Sequence, residues 1–160
     1  MKNSHKKFMQ RAIELSREAF LIKKTGGPFG AVIVKDNQII GEGYNQVIKH
    51  NDPTWHGEMH AIREACKLMQ SPHLDGAILY TSSEPCPMCL GAAYWAHIKE
   101  IYYASTVDDA LQYGDFQDFD MYREFKIAPQ ERKIKIYNIM RTEALDCWKE
   151  FASLKYKAWY

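Results

Sequence analysis

Residues 29–44 constrain the fold more than any other stretch of this chain. Residues 29–35 (Phe-Gly-Ala-Val-Ile-Val-Lys) form a short, β-branched apolar run, Asp36-Asn37 is a two-residue turn, and residues 38–44 return with further apolar side chains. This pattern predicts a β-hairpin. On both sides of it the apolar spacing becomes helical. Phe8, Ala12, Leu15 and Ala19 recur at helical intervals up to the breaker Gly26-Gly27-Pro28, and residues 55–69 repeat the pattern with Asp52 or Thr54 as the expected N-cap. Residues 77–82 read as a buried strand, 85–96 as a helix and 100–104 as a strand. Beyond Thr106 the expectation is a short helix, an aromatic and acidic loop over 113–122, a strand over 134–139 and a last helix over 142–154. Strands separated by helices make an α/β chain, and the hairpin makes its sheet mixed rather than all parallel.

Length and charge narrow the function. At 160 residues without repeats or linkers, the expectation is one domain over 1–160, large enough to bury a core without disulfides. No apolar run approaches the roughly 20 residues of a membrane span, and the N-terminal residues lack the apolar stretch of a signal peptide. A cytoplasmic location with no membrane partner is expected. Twenty-one Lys and Arg against twenty Asp and Glu leave a net charge of +1. That near-balance disfavours a nucleic-acid partner, whose phosphates demand a basic excess. The basic residues of 126–135 read as a solvated face.

Of the four cysteines, Cys66 and Cys147 stand alone in helical patterns and read as buried apolar residues, whereas Cys86-Pro87-Met88-Cys89 forms a CxxC. By itself CxxC fits a redox pair or half of a structural zinc site. It follows His56-Gly57-Glu58 by 27 residues, however, and one imidazole with two thiolates is a donor set that zinc prefers. Three protein ligands leave one tetrahedral position for water, the mark of a catalytic site. Cys86 and Cys89 share a helix face at spacing i, i+3, and Pro87 suits a first turn because it has no N–H to lose. His56 and Glu58 lie about 200° apart on an ideal helix, so they converge only where a helix starts. Glu58 then sits beside the ion as a proton carrier. His60, one turn after His56, reads as a packing or supporting histidine.

His56-x-Glu58 with Pro85-Cys86-x-x-Cys89 resembles the zinc-dependent cytidine deaminase superfamily. The strings 26–34 (Gly-Gly-Pro-Phe-Gly-Ala-Val-Ile-Val), 51–54 (Asn-Asp-Pro-Thr) and 84–92 (Glu-Pro-Cys-Pro-Met-Cys-Leu-Gly-Ala) resemble its bacterial guanine-deaminating branch. The resemblance implies a three-layer α/β/α sandwich with a five-stranded mixed sheet. It also implies a homodimer whose C-terminal segment, from about 142 to 160, exchanges between subunits and closes the partner's site. By resemblance His56, Cys86 and Cys89 bind Zn2+ and Glu58 shuttles protons. Asn45 would hydrogen-bond a purine base, Phe29 and Trp95 would flank it, Asp118 would read its N–H edge, and Tyr160 would enter the site. Gly57 stands where the branch usually has alanine, which removes a methyl from the pocket floor.

The implied reaction is hydrolytic deamination of guanine to xanthine and ammonia. A tRNA adenosine deaminase shares both motifs but would need a basic track for its RNA. Deamination of another base or nucleoside, such as guanosine or cytosine, is a further alternative. A non-catalytic zinc-binding module is the third, against which the open ligand position and Glu58 both argue.

Overall fold

The computed structural model describes residues 2–116 and 121–157. The chain falls into two compact units, Met1–Asp118 and Phe119–Tyr160.

In the first unit, helix α1 (Lys2–Arg17) ends in a π-helical turn (Glu18–Ile22). The hairpin follows as β1 (Gly30–Lys35) and β2 (Gln38–Tyr44), with Asp36 and Asn37 both at positive φ, the left-handed geometry a two-residue turn requires. After the short helix α2 (Val47–His50) come α3 (Gly57–Met69), β3 (Ile78–Ser83), α4 (Pro87–Trp95), β4 (Glu100–Ser105) and α5 (Val107–Gly114). A capping box starts α5: Asp109 N–H donates to Thr106 Oγ1, and Thr106 N–H donates to the Asp109 carboxylate. The sheet order is β2-β1-β3-β4, antiparallel across its first two pairings and parallel between β3 and β4. The sheet is mixed, as expected.

Both faces of the sheet are covered, because alternate residues of β1 feed different cores. Val32 and Val34 join Tyr80, Phe8, Ala12 and Leu15 under α1. Ala31 and Ile33 join Leu79, Ala61, Ile62, Ala65 and Ala96 beneath α3 and α4. Val32, Ile33 and Leu79 are fully buried, each contributing about 1.5–3 kcal/mol of apolar transfer. Small residues set the spacing between layers. A Cβ at Gly41 would meet the Ala61 carbonyl and one at Gly43 the Gly57 carbonyl, so β2 approaches α3 with bare backbone. This three-layer arrangement agrees with the α/β/α expectation.

The strand count does not. Among the described residues the sheet has four strands, not five. The second unit contains α6 (Met121–Glu124) and α7 (Arg141–Ser153), and residues 134–139 are irregular backbone. A strand exists only through ladder bonds to a neighbour, and here the Ile136 N–H instead donates locally to the Pro129 carbonyl at 3.1 Å. Ile134 and Ile139 remain about 80% exposed. Cys147 is exposed and Cys66 partly so, rather than buried. Among the described residues no helix is long and apolar enough to cross a membrane.

Candidate active site

Two helices begin at one point. His56 is the N-cap residue of α3 and Cys86 that of α4, each with extended backbone (ψ 158° and 164°) and neither making a side-chain cap bond. The expected caps are occupied otherwise, since Asp52 Oδ1 accepts from the Thr54 N–H and hydroxyl, both at 2.8 Å, within the preceding loop. Pro87 takes the first helical position of α4, and Cys89 follows on the same turn. Residues that would ordinarily cap a helix thus aim their side chains at a shared centre, where the N-terminal ends of two helices favour negative charge.

Cys86 Sγ and Cys89 Sγ each lie 3.6 Å from His56 Nδ1, and the three potential ligand atoms all fall within 4.8 Å of one another. A tetrahedral zinc with Zn–S near 2.3 Å and Zn–N near 2.0–2.1 Å separates sulfur from nitrogen by about 3.6 Å. Both sulfur–nitrogen distances fit the ion. The charge of the donor set fits as well. A hydrogen bond from Cys89, reinforced by His56, lowers the Cys86 thiol to a pKa of about 4. The same bond to Cys86, together with burial and the nearby Glu58 carboxyl, holds the Cys89 proton on.

Glu58 is 4% exposed. Its Oε1 accepts from the Thr81 hydroxyl at 3.1 Å, and its Oε2 accepts from Cys89 Sγ at 3.5 Å. Burial, above all, pushes its pKa upward. A carboxyl with a raised pKa, held beside a ligand cluster, is suited to carry a proton.

A cavity of about 300 Å³ opens over this centre, with His56, Glu58 and Cys86 in its floor and Phe29, Asn45, Glu84 and Phe116 in its walls. Phe29 and Phe116 meet edge to face at 4.9 Å. Asn45 is buried and fixed: its N–H donates to the Phe29 carbonyl at 2.9 Å, and its Oδ1 accepts from the Val47 N–H at 3.1 Å. Gly26 makes room for it, because a Cβ there would collide with the Asn45 amide.

The fold therefore brings together His56, Glu58, Cys86, Cys89, Asn45 and Phe29. It does not bring Trp95, which is 67% exposed at the C-terminal end of α4 and outside the cavity lining. Gly57 is buried but packs against backbone: a Cβ there would stand 2.9 Å from the Phe29 carbonyl oxygen. The missing methyl is answered by closer approach of β1, not by a wider pocket. Asp118 and Tyr160 lie outside the described residues. His60 sits off the metal centre, its Nδ1 within 3.0 Å of Gln46 Nε2, with burial depressing its pKa. Thr81, Gly26 and Phe116 are residues the sequence did not single out for this chemistry. Thr81 begins a buried polar run, Thr81-Ser82-Ser83, at the end of β3, and that run was the available signal.

The pattern described as the cytidine and deoxycytidylate deaminase zinc-binding region matches residues 2–105. Guanine deaminase of Bacillus subtilis is 48% identical over 155 residues, covering 95% of this chain and 98% of that one. Its X-ray structure superposes with a TM-score of 0.92 at 47% identity over 98% of both chains. The tRNA-specific adenosine deaminase of Aquifex aeolicus is 38% identical over 98 residues, covering 61% of this chain and 64% of its own.

Proposed function

The chain belongs to the cytidine and deoxycytidylate deaminase family, and we propose that it hydrolyses guanine to xanthine and ammonia. The observation that carries this reading is the buried Glu58 carboxyl at the floor of a base-sized cavity, adjoining a His-Cys-Cys cluster of zinc-binding dimensions. The choice of guanine rests on the near full-length similarity to the Bacillus enzyme.

Deamination replaces an exocyclic amino group by oxygen: water adds to the amino-bearing ring carbon, the adjacent ring nitrogen takes a proton, and ammonia departs. His56, Cys86 and Cys89 would hold zinc, which when bound supplies Lewis-acid activation of water. Glu58 takes one proton of the attacking water and passes it to the ring nitrogen, then takes the proton of the hydroxyl so added to carbon and passes it to the leaving amine. Its burial matters here, because a carboxyl with a raised pKa gives a proton back as readily as it accepts one. Thr81 holds the carboxylate's other oxygen and so fixes which one faces the base. Phe29 and Phe116 provide an apolar wall for a planar ring, and Asn45, with Oδ1 engaged, has its Nδ2 to donate to a purine nitrogen or carbonyl. A cavity near 300 Å³ is at the small end for ligand pockets and suits a free base better than a nucleoside.

The reading extends to a homodimer in which the segment from about 142 to 160 is exchanged, bringing Tyr160 to a neighbour's site while Asp118 reads the base. It is supported by the exposed apolar side chains Ile134, Ile136, Tyr137, Ile139 and Trp148, which a lone chain would leave in water. Size-exclusion chromatography with light scattering should give twice the chain mass, and a monomer overturns this part. A cytoplasmic location is supported by four free thiols among four cysteines.

The deciding assay is ammonia release from guanine, guanosine, adenine, cytosine and a tRNA stem-loop, with metal content measured on the same sample. Turnover of guanine above all others is expected. Preference for the stem-loop would favour the tRNA-specific reading, for which the family similarity speaks but the net charge of +1 does not.

A further inference from the structure

The helices that start at the metal centre also finish side by side, and a second cluster of ligating side chains stands there. After α3, the chain runs through Gln70 at positive φ to His73 and Asp75; after α4, it reaches His97, also at positive φ. Backbone bonds bind the two connections together: the Leu74 N–H donates to the Ala96 carbonyl at 2.7 Å, and the Lys99 N–H to the Ala77 carbonyl at 2.8 Å. Across this junction the His73 and His97 rings stack, with centroids 4.2 Å apart and planes 10° from parallel. His97 Nδ1 lies 3.1 Å from Asp75 Oδ1. One ligand atom from each of the three residues falls within 4.8 Å of the others.

Ordinary packing accounts poorly for this group. An exposed histidine–aspartate pair contributes little by itself, and Nε2 of His73 is buried with no hydrogen-bond partner among the described residues. Two imidazole nitrogens and one carboxylate oxygen form a donor set for borderline divalent ions such as zinc. Ligand atoms around a tetrahedral zinc stand about 3.3–3.6 Å apart, so closing the cluster requires the His97 ring to turn out of its stack on His73. His97 and Asp75 are 50% and 74% exposed and able to turn. We propose that His73, Asp75 and His97 form a second zinc site, with water completing the coordination, that staples the α3–β3 connection to the α4–β4 turn. It lies one length of α3, about 20 Å, from the His56 end of that helix. Its role is to hold the far ends of α3 and α4 in register, not to take part in the reaction.

Titrating holoprotein that already carries one zinc per chain with zinc sulfate, followed by calorimetry and metal analysis, tests this. A second equivalent should bind with a Kd on the order of 10 µM and raise the melting temperature by several degrees. His73→Asn and His97→Asn should each abolish the second equivalent while keeping the first, asparagine being chosen at 97 because it tolerates positive φ. Asp75→Asn should weaken it about tenfold. Stoichiometry that stays at one under excess zinc, or a second equivalent that survives in the doubly substituted His73→Asn/His97→Asn protein, overturns the proposal. If either variant misfolds, imidazole nitrogen NMR of the unaltered holoprotein decides. Zinc-dependent shifts of His73 and His97 support the site, and their absence overturns it.

Discussion

Glu58 shows what position does to an ordinary side chain. A glutamate in the first turn of an exposed helix is a minor electrostatic asset; buried at 4% exposure beside two sulfurs, it becomes a proton store. Glu58→Gln keeps the shape and removes the titratable oxygen. It should retain bound zinc and lose between about 100-fold and 10,000-fold in turnover, the range for a positioned acid–base group. Metal analysis alongside ammonia release measures both, and activity within tenfold of the original would assign the proton transfer elsewhere. Asn45 offers a different test, because its place depends on the emptiness at Gly26. Gly26→Ala should displace the amide and cut kcat/KM by about tenfold or more, from the loss of one hydrogen bond at the base. Thermal melting checks that the fold survives. At this scale the metal ligands and Glu58 were legible because their chemistry is written in residue type and spacing. The roles of Gly26 and Thr81 were not, since both arise from what a distant segment places next to them.

Among elements, the hairpin and the two site helices were readable from local pattern, for the turn at Asp36-Asn37 and the apolar spacing of α3 carry their own physics. The start of α3 was misread by two to four residues. Asp52 and Thr54 look like caps, but they satisfy one another in the loop and leave the N-cap position to His56. The strand expected over 134–139 fails for a complementary reason: alternation at Ile134 and Ile136 describes a face, and a face is not a strand until something pairs with it. The link between α1 and β2 gives a prediction that pattern would not suggest. Arg11 Nε and Nη2 donate to the two carboxylate oxygens of Glu42 at 2.8 and 2.7 Å, and this guanidinium holds the Glu42 carboxyl below its usual pKa. A carboxylate depressed in the folded state stabilises fully above its unfolded pKa, near 4.3, and loses that contribution as pH falls through the folded value. Both side chains are about one-third exposed, so solvent screens the pair to roughly 1 kcal/mol. Glu42→Gln should therefore be about 1 kcal/mol less stable at pH 7 in urea unfolding. The gap should close at pH values below the ordinary glutamate range. A difference constant from neutral to acid pH would mean that the loss is one of packing rather than charge.

The molecule as a whole concentrates its unmet demands at one place. Two helix N-termini lack side-chain caps, a thiol ionises near pH 4, and a carboxyl is buried next to it. Each of these is costly alone, and a single divalent cation with its water answers all of them. Burial of so much negative character would otherwise weaken a sheet protein whose apolar core lies on either side of it. An ion that binds the folded chain and not the unfolded one contributes RT ln(1 + [L]/Kd), about 4 kcal/mol at a thousandfold excess over Kd. For a chain of this size that is on the order of 10 °C in melting temperature. Chelator-treated protein should melt that much lower in scanning calorimetry, and one equivalent of zinc should restore it. Cys89→Ser, which weakens the ligand set while keeping its shape, should melt near the chelated protein and gain little from added zinc. Coincident melting of treated and untreated protein would mean that His56, Cys86 and Cys89 hold no ion. The raised pKa of Glu58 would then have no water to act upon.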